Sequence, residues 1–276
     1  MIGLLTEVGK RVSGRWMTAV LLPGVLLVAV GAVAVALGHT RPFDLEHLAA
    51  AAERAGRDLA ARPGRLVVVV SAVGVGAGLA GTAARGLGLL AQWWWLREWF
   101  LTGGLITRSR WSRRSRTLAA ARRTGTPTVA AYLPQRPTWL GDRARLVEAR
   151  VRAQYHVSAA LVWPRLWLLL DEDARQPVTD ARTRYGEAVA LVGWGLLYLA
   201  LGLRWWPALL VGAGVLLTAW RRLRDTLGEL AELIESAIDL RLRDLAAALG
   251  LPLAGAEVSA SEGRALDDRL GKSGPT

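Results

Sequence analysis

The side chains best suited to metal or acid–base chemistry lie close together near residue 40. They are His39, Asp44, Glu46 and His47. A helical zinc site needs two histidines at i, i+4 spacing, usually as an H-E-x-x-H pattern, and the sequence has neither. Asp44 is of a type that begins helices, because its carboxylate accepts hydrogen bonds from the free N–H groups of a first turn. We therefore predict a solvated loop with a helix start near Asp44, and no metal.

Other candidate chemical groups are isolated in the sequence. His156 has no catalytic partner beside it, and the acidic run 171–173 follows an apolar stretch, where such residues usually cap a helix. Residues 271–273 spell G-K-S but lack the glycine pattern of a phosphate-binding loop. The absence of cysteine excludes a disulfide and a thiol nucleophile. We predict no enzymatic activity and no cofactor.

The composition indicates a membrane protein rather than a soluble domain. Of the 276 residues, 52% are hydrophobic, the mean hydropathy is +0.27 and the net charge is +12. The apolar residues are gathered into runs with few or no charges, which suit the apolar core of a bilayer, about 30 Å thick.

Four such runs predict transmembrane helices. Residues 17–38 contain no charge over 22 positions. The basic residues before this run are also typical of a signal peptide, but the run exceeds the roughly 7–15 apolar residues of such peptides, which favours an anchor. The predicted spans are 17–38, 66–100 with a tryptophan-rich inner end, 185–203 and 208–220. A short external turn at 204–207 joins the last two into a hairpin.

Arginine counts predict the orientation, because basic residues in short loops stay in the cytoplasm. Residues 101–187 hold sixteen arginines against seven acidic residues, whereas residues 39–65 hold five against four. We expect 39–65 to be an extracytoplasmic loop of a bacterial inner membrane protein, with a cytoplasmic N-terminus at 1–16, a basic cytoplasmic module at 101–184 and a cytoplasmic C-terminus.

Tryptophans and arginines alternate around the end of the second span. Such a pattern also suits a nucleic-acid surface, but these tryptophans continue an apolar helix, which favours a membrane interface. The predicted interface anchors are Trp93, Trp94, Trp95, Trp99, Trp205, Trp206 and Trp220. The arginines predicted to contact the anionic inner leaflet are Arg108, Arg110, Arg113, Arg114 and Arg116. No nucleic-acid partner is expected.

A stripe of small and polar residues follows one face of the second span. Its members, the small-residue seam, are Ser71, Gly74, Gly78, Gly81, Arg85, Gly88 and Gln92. Their spacing alternates between three and four, so they share a helix face on which another helix could pack closely. Packing within one subunit or between subunits is one interpretation. The other is a pore lining in a homo-oligomer, with Arg85 as an anion-selecting ring near the cytoplasmic mouth.

The basic module and the C-terminal part are expected to be helical. We predict a helix from Gly141, with Asp142 as its cap and an apolar stripe at Leu140, Ala144, Val147, Val151 and Tyr155. Residues 158–170 are too short for a span and are expected to be core or interfacial rather than a re-entrant loop.

Beyond the fourth span, residues 221–250 are predicted to continue as an amphipathic helix, followed by a disordered tail at 251–276. The acidic side of this helix could pair with the arginines of 108–123 in the same or another subunit, or remain a solvated face. That side consists of Glu229, Glu232, Glu235 and Asp239.

Three stretches carry a resemblance to a known family. They are "PTWLGDRARLVEARVRAQY" at 137–155, "WPRLWLLL" at 163–170 and "LIESAIDLRLRDLAAALGLPL" at 233–253. The first is similar to the pattern P-T-x-L-G-[ND] of a family of multi-pass membrane proteins of actinobacteria and related bacteria, whose function is unknown. Tyr155, His156 and Val157 replace a stretch in which that family has a glycine. The resemblance covers about half of the chain and implies a multi-pass architecture, but no activity.

The sequence thus predicts an all-α, polytopic membrane protein with four transmembrane helices, a small helical cytoplasmic module and a long C-terminal amphipathic helix. Two function classes are consistent with it. The first is a homo-oligomeric channel or pore-like assembly with the small-residue seam at its axis. The alternative is a non-conducting membrane scaffold whose basic module binds anionic lipid or an acidic partner.

Overall fold

The computed structural model describes residues 21–39, 41–96, 119, 139–255 and 258–271, except the side chains of residues 95 and 96. These residues are predominantly helical and include no strand, which confirms the all-α prediction. The helices are α1 (Leu22–Leu37), α2 (Leu45–Ala61), α3 (Pro63–Leu96), α4 (Trp139–Tyr155), α5 (Ala159–Leu169), α6 (Glu172–Gly202), α7 (Pro207–Ala248) and α8 (Ala260–Gly271).

The chain divides into two compact units, and α3, α6 and α7 contribute residues to both. Unit 1 comprises Met1–Gln92 and Glu187–Arg221, and unit 2 comprises Trp93–Gly186 and Arg222–Thr276. The described part of unit 1 therefore contains α1, α2, most of α3 and the hairpin formed by the end of α6 and the start of α7. The described part of unit 2 contains α4, α5, α8 and the remainders of α3, α6 and α7.

Helix α2 replaces most of the predicted external loop. The carboxylate of Asp44 accepts a hydrogen bond from the N–H of His47 at 2.9 Å, which confirms the predicted helix start. The helix continues for 17 residues and so occupies most of the segment 39–65. The external position of this segment stays a prediction. Its alanines have high helix propensity and its charges lie on one side, so the segment forms a helix without a buried core.

Helices α6 and α7 are longer than the predicted third and fourth spans. Helix α6 begins at Glu172 rather than at 185, and Asp171 caps it by accepting a hydrogen bond from the N–H of Ala174 at 2.9 Å. The acidic run at 171–173 is thus a helix start. Helix α7 continues without a break from Pro207 to Ala248, as the sequence predicts.

The core of unit 2 is formed by apolar faces of α4, α5, α7 and α8. Leu166 of α5, Ile238 and Leu242 of α7 and Leu266 of α8 are at most 1% exposed. Residues 158–170 are accordingly a core helix with one exposed edge rather than a re-entrant loop.

Helix α4 departs from its prediction in two details. It begins by Trp139, so Asp142 lies inside its first turn, where it is buried, and does not act as the cap. Within the predicted stripe, Leu140, Val147 and Val151 are buried and Tyr155 is partly buried, but Ala144 is exposed. Leu146 is also buried, so the buried face of the helix is broader than the predicted single stripe.

The prediction of a disordered tail is wrong for residues 258–271. Helix α8 forms there, and Leu266 and Leu270 insert into the core of unit 2. A capping box begins the helix: Ser259 Oγ accepts from the N–H of Glu262, and the Glu262 carboxylate accepts from the N–H of Ser259 at 2.7 Å. The prediction of disorder was based on the small and polar composition of the segment. It did not take account of this capping box or of the two leucines.

Acid is expected to weaken the start of α8. Hydrogen bonds from the Ser259 hydroxyl and from the N–H groups of Ala254 and Ser259 lower the pKa of Glu262 from 4.5 to about 2. Because the folded state has the lower pKa, this stabilisation is complete above about pH 4.5 and is lost as the pH falls towards 2. Glu262→Gln should reduce the hydrogen-exchange protection of α8 at neutral pH and abolish its decline over that interval. An unchanged decline in the variant would assign the acid sensitivity to another group.

Candidate membrane-embedded surface

Helix α3 exposes apolar side chains around most of its circumference. Val67, Val68, Leu79 and Leu90 are each between 63% and 67% exposed, and only 11% of the most apolar stretch of the helix is buried. Soluble monomers rarely expose contiguous apolar patches larger than a few hundred Å². This surface therefore needs a cover, either lipid or protein.

Two of the described helices are long and apolar enough to cross a membrane, by length and composition. They are α3 over Pro63–Trp94 and α6 over Glu172–Gly202. The apolar helix α1 has 16 described residues, and residues 17–20 of the first predicted span lie outside the described part of the chain. The apolar start of α7 reaches the arginines at 221 and 222 after fourteen residues.

The small-residue seam is divided between a buried part and an exposed part. Gly81 and Gly88 are buried, Gly78 and Gln92 are partly exposed, and Ser71, Gly74 and Arg85 are exposed. A Cβ atom added to Gly74 or Gly78 would meet no atom within 4 Å. One edge of the seam is thus open in the single chain.

The contact stripe of α3 consists of Ala77, Gly81, Ala84 and Gly88, turned part of the way round the helix from the seam. The backbone of Ala84 approaches Gly193 of α6 so closely that a Cβ on Gly193 would overlap the Ala84 carbonyl oxygen, and a Cβ on Gly88 would overlap that of Val189. On α1, a Cβ on Gly24 would lie 2.5 Å from the carbonyl oxygen of Ala77.

Sequence reasoning missed five members of these contacts, namely Gly24, Ala77, Ala84, Val189 and Gly193. The signal was present, because the contact stripe repeats small residues at spacings of four, three and four. The prediction was based on the stripe that contains most of the glycines, although alanine also permits two helices to approach closely.

Arg85 is adjacent to the Ala84 contact but points away from it. Its side chain is exposed and forms no hydrogen bond or ion pair with the described part of the chain. With the glycines 74 and 78 it forms the open seam edge, which we define as Ser71, Gly74, Gly78 and Arg85. The glycines of this edge leave space for an approaching helix, and Arg85 adds one positive charge.

The tryptophans predicted as anchors occupy two kinds of environment. Trp93, Trp94 and Trp220 are 56%, 50% and 39% exposed, whereas Trp205 and Trp206 are partly buried in a contact between loops. The side chain of Trp95, the residue Trp99 and the five arginines from 108 to 116 lie outside what the structure describes.

The loop after α1 contacts the turn between α6 and α7. Trp205 Nε1 donates to the carbonyl oxygen of Pro42 at 3.1 Å, and His39 Nδ1 lies 3.1 Å from the carbonyl oxygen of Arg204. Phe43 and Trp206 form an edge-to-face pair with ring centroids 5.7 Å apart. The C-terminal ends of α1 and α6 therefore lie at the same end of unit 1.

The acidic side of α7 is paired within unit 2. Glu235 accepts from Arg150 at 3.0 Å, Glu232 lies 3.4 Å from Arg143, and Asp239 accepts from the hydroxyl of Tyr155 at 2.9 Å. Glu229 pairs with Arg184 of α6. The acidic residues thus bind groups of α4 and α6. The predicted partners, the arginines of 108–123, lie outside the described ranges.

The described residues contain no group of three or more His, Asp or Glu side chains arranged to hold a metal ion. His39, Asp44 and His47 contribute to loop contacts and to the cap of α2 instead. Comparison of the chain with protein-family models, curated proteins and solved structures finds no match. The resemblance to the actinobacterial family stays a prediction.

Proposed function

We propose that the protein is a four-span integral membrane protein of the bacterial inner membrane that assembles into a homo-oligomeric channel. In this arrangement α1, α3, the second half of α6 and the first part of α7 cross the bilayer, and both termini are cytoplasmic. The open seam edge of α3 faces the other copies and the conduction path.

The exposed surface of α3 supports the membrane location. A helix with apolar side chains on all sides is stable in a bilayer, where no water opposes their exposure. The units also divide at residues 92, 186 and 221, close to the predicted cytoplasmic ends of the second, third and fourth spans. The contact between the loop after α1 and the α6–α7 turn accords with an external position for both.

Arg85 is the observation on which the channel proposal depends most. The distance along the helix from Arg65 to Arg85 is about 30 Å, close to the thickness of the bilayer core, which supports a position of Arg85 near the inner boundary. Charged side chains at such depth usually face protein or water rather than lipid. Repeated around an axis, Arg85 would form a positive ring that favours anions, while Gly74 and Gly78 allow close approach of neighbouring helices.

A non-conducting scaffold is the second candidate, and the organisation of unit 2 favours it. This unit has a core of its own, and its acidic stripe is already engaged by arginines of α4 and α6. The arginines at 108–116 would then hold the unit near anionic lipid, at about 1 kcal/mol for each arginine close to the surface.

Single-channel recording tests the proposal. Wild-type protein reconstituted in planar bilayers under a chloride gradient is expected to give discrete, anion-selective currents. Arg85→Glu should move the reversal potential towards that of the cation, because it reverses the charge of the ring. Arg85→Lys keeps the charge and is the matched control, with selectivity close to wild type.

Two results would contradict this proposal in different ways. Silence from folded wild-type oligomers would exclude a channel and leave the scaffold. Currents whose selectivity is the same in Arg85→Glu would show a pore that the α3 edge does not line.

A further inference from the structure

We propose that α2 is an interfacial helix whose apolar face lies in the headgroup–acyl boundary of the leaflet at which α1 ends and α3 begins. The proposal rests on the membrane location argued above, but not on ion conduction. The occupant of the α2 face is the lipid surface itself.

The residue pattern of α2 gives it two distinct faces. At 100° per residue, Leu45, Leu48, Ala52 and Leu59 fall on one side, and the charged residues fall on the other. The charged residues are Glu46, Glu53, Arg54, Arg57 and Asp58. None of the residues of α2 is buried, and Leu45 is 73% exposed. Ala52 is also exposed, whereas Leu48 and Leu59 are half-buried, so the apolar face is only partly covered within the single chain.

Groups typical of a membrane interface hold both ends of α2. Before its N-cap, Phe43 packs on Trp206 and the carbonyl of Pro42 accepts from the Trp205 indole. At its other end, the Asp58 carboxylate pairs with Arg62 at 3.7 Å and also with Arg65. Aromatic rings and arginines settle at the headgroup level, so these contacts place both ends of α2 at similar depth.

The exposure of α1 and α3 differs at the ends that α2 connects. One side of the end of α1 is packed, with Ala34 at 0% and Leu37 at 7% exposure, although Val35 is 69% exposed, whereas residues 63–72 of α3 are all exposed. The two helices meet at Gly24 and Ala77, near the opposite end of α1. The 17 residues of α2, about 25 Å as a helix, connect the two ends along the membrane surface.

The charges of α2 distinguish this helix from a basic lipid-binding segment. Residues 41–65 carry five arginines and four acidic residues, and two of the acidic residues are held in ion pairs along the helix and its end. Attraction to anionic lipid therefore contributes little, and apolar burial must supply the binding. The depth of α2 is expected to be the same in zwitterionic and in anionic vesicles.

Site-directed fluorescence can measure this depth, because the chain contains no cysteine. Full-length variants Ala52→Cys, Arg54→Cys and Val68→Cys would carry an environment-sensitive dye in phosphatidylcholine vesicles. Positions 52 and 54 are at almost equal height along the helix but on opposite sides, which makes them a matched pair. Nitroxide-labelled lipid and an aqueous quencher would be applied to each, with Val68 in α3 as the reference for a transmembrane position.

We expect the ratio of fluorescence quenching by labelled lipid to quenching by the aqueous quencher to be severalfold higher at position 52 than at position 54. Strong quenching by lipid is expected at position 68. Equal aqueous quenching at 52 and 54, with 68 still quenched by lipid, would overturn the interfacial position and leave the membrane location intact. Aqueous quenching at all three positions would overturn both. Protection of position 52 from both quenchers would show that protein, not lipid, covers the face.

Discussion

Gly193→Ala is expected to lower the free energy of unfolding of unit 1 by about 3 kcal/mol. The new methyl group would overlap the carbonyl oxygen of Ala84, and a backbone atom cannot turn aside as a flexible side chain does. The helices α3 and α6 must therefore separate along their small-residue contact. Denaturant titration in detergent micelles, followed by tryptophan fluorescence, would report the shifted midpoint.

Gly214→Ala is the matched control for this experiment. Gly214 also lies in a helix of unit 1, but a Cβ atom there would meet nothing within 4 Å. The substitution should leave the midpoint unchanged or raise it slightly, because alanine favours a helix over glycine by roughly 0.5–1 kcal/mol. Equal midpoints for the two variants would show that the α3–α6 contact is not tight in the folded protein.

Leu242→Ala should destabilise unit 2 by about 2–5 kcal/mol. Leu242 is 1% exposed and belongs to the core that unites α4, α5, α7 and α8, so truncation leaves a cavity among all four helices. We expect earlier loss of hydrogen-exchange protection in these helices than in wild-type protein. The chain supplies a control two residues away, since Leu240 is 78% exposed and makes no contribution to that core.

Leu240→Ala is expected to change the stability of unit 2 by less than about 0.5 kcal/mol. If Leu240→Ala were as damaging as Leu242→Ala, the side of α7 assigned to the core would be wrong. If neither variant changed exchange, α7 would not share a core with α4 and α5.

The sequence predicts the helical class because its apolar runs and i, i+4 stripes are long enough to be distinctive. The continuity of α7 follows from leucines and isoleucines that recur beyond Arg221 without a proline or glycine cluster. Helix α8 does not follow from composition, because its stability depends on two leucines entering a core made by distant residues and on a capping box of ordinary serine and glutamate.

The sequence predicts that α3 packs closely against another helix, but it does not predict which side of α3 makes the contact. Small residues on α3 indicate helix packing, yet the sequence contains two adjacent stripes of them. Only the positions of Gly24 and Gly193 on the partner helices decide that Ala77 and Ala84 form the contact. Likewise, Asp44 marks the start of α2, but the end of the helix depends on the pairing of Asp58 with Arg62 and Arg65, which are charged residues that a loop would also carry.

The core of unit 2 also has a consequence for the order of synthesis. Asp267 accepts a hydrogen bond from the N–H of Ser158 across 109 residues of sequence, and Leu266 closes the same core. At roughly 5–20 residues per second, the ribosome needs on the order of 5–20 s between the two segments. Helices α4 and α5 must therefore wait, with apolar faces uncovered, until the α6–α7 hairpin has been made and α8 has left the ribosome.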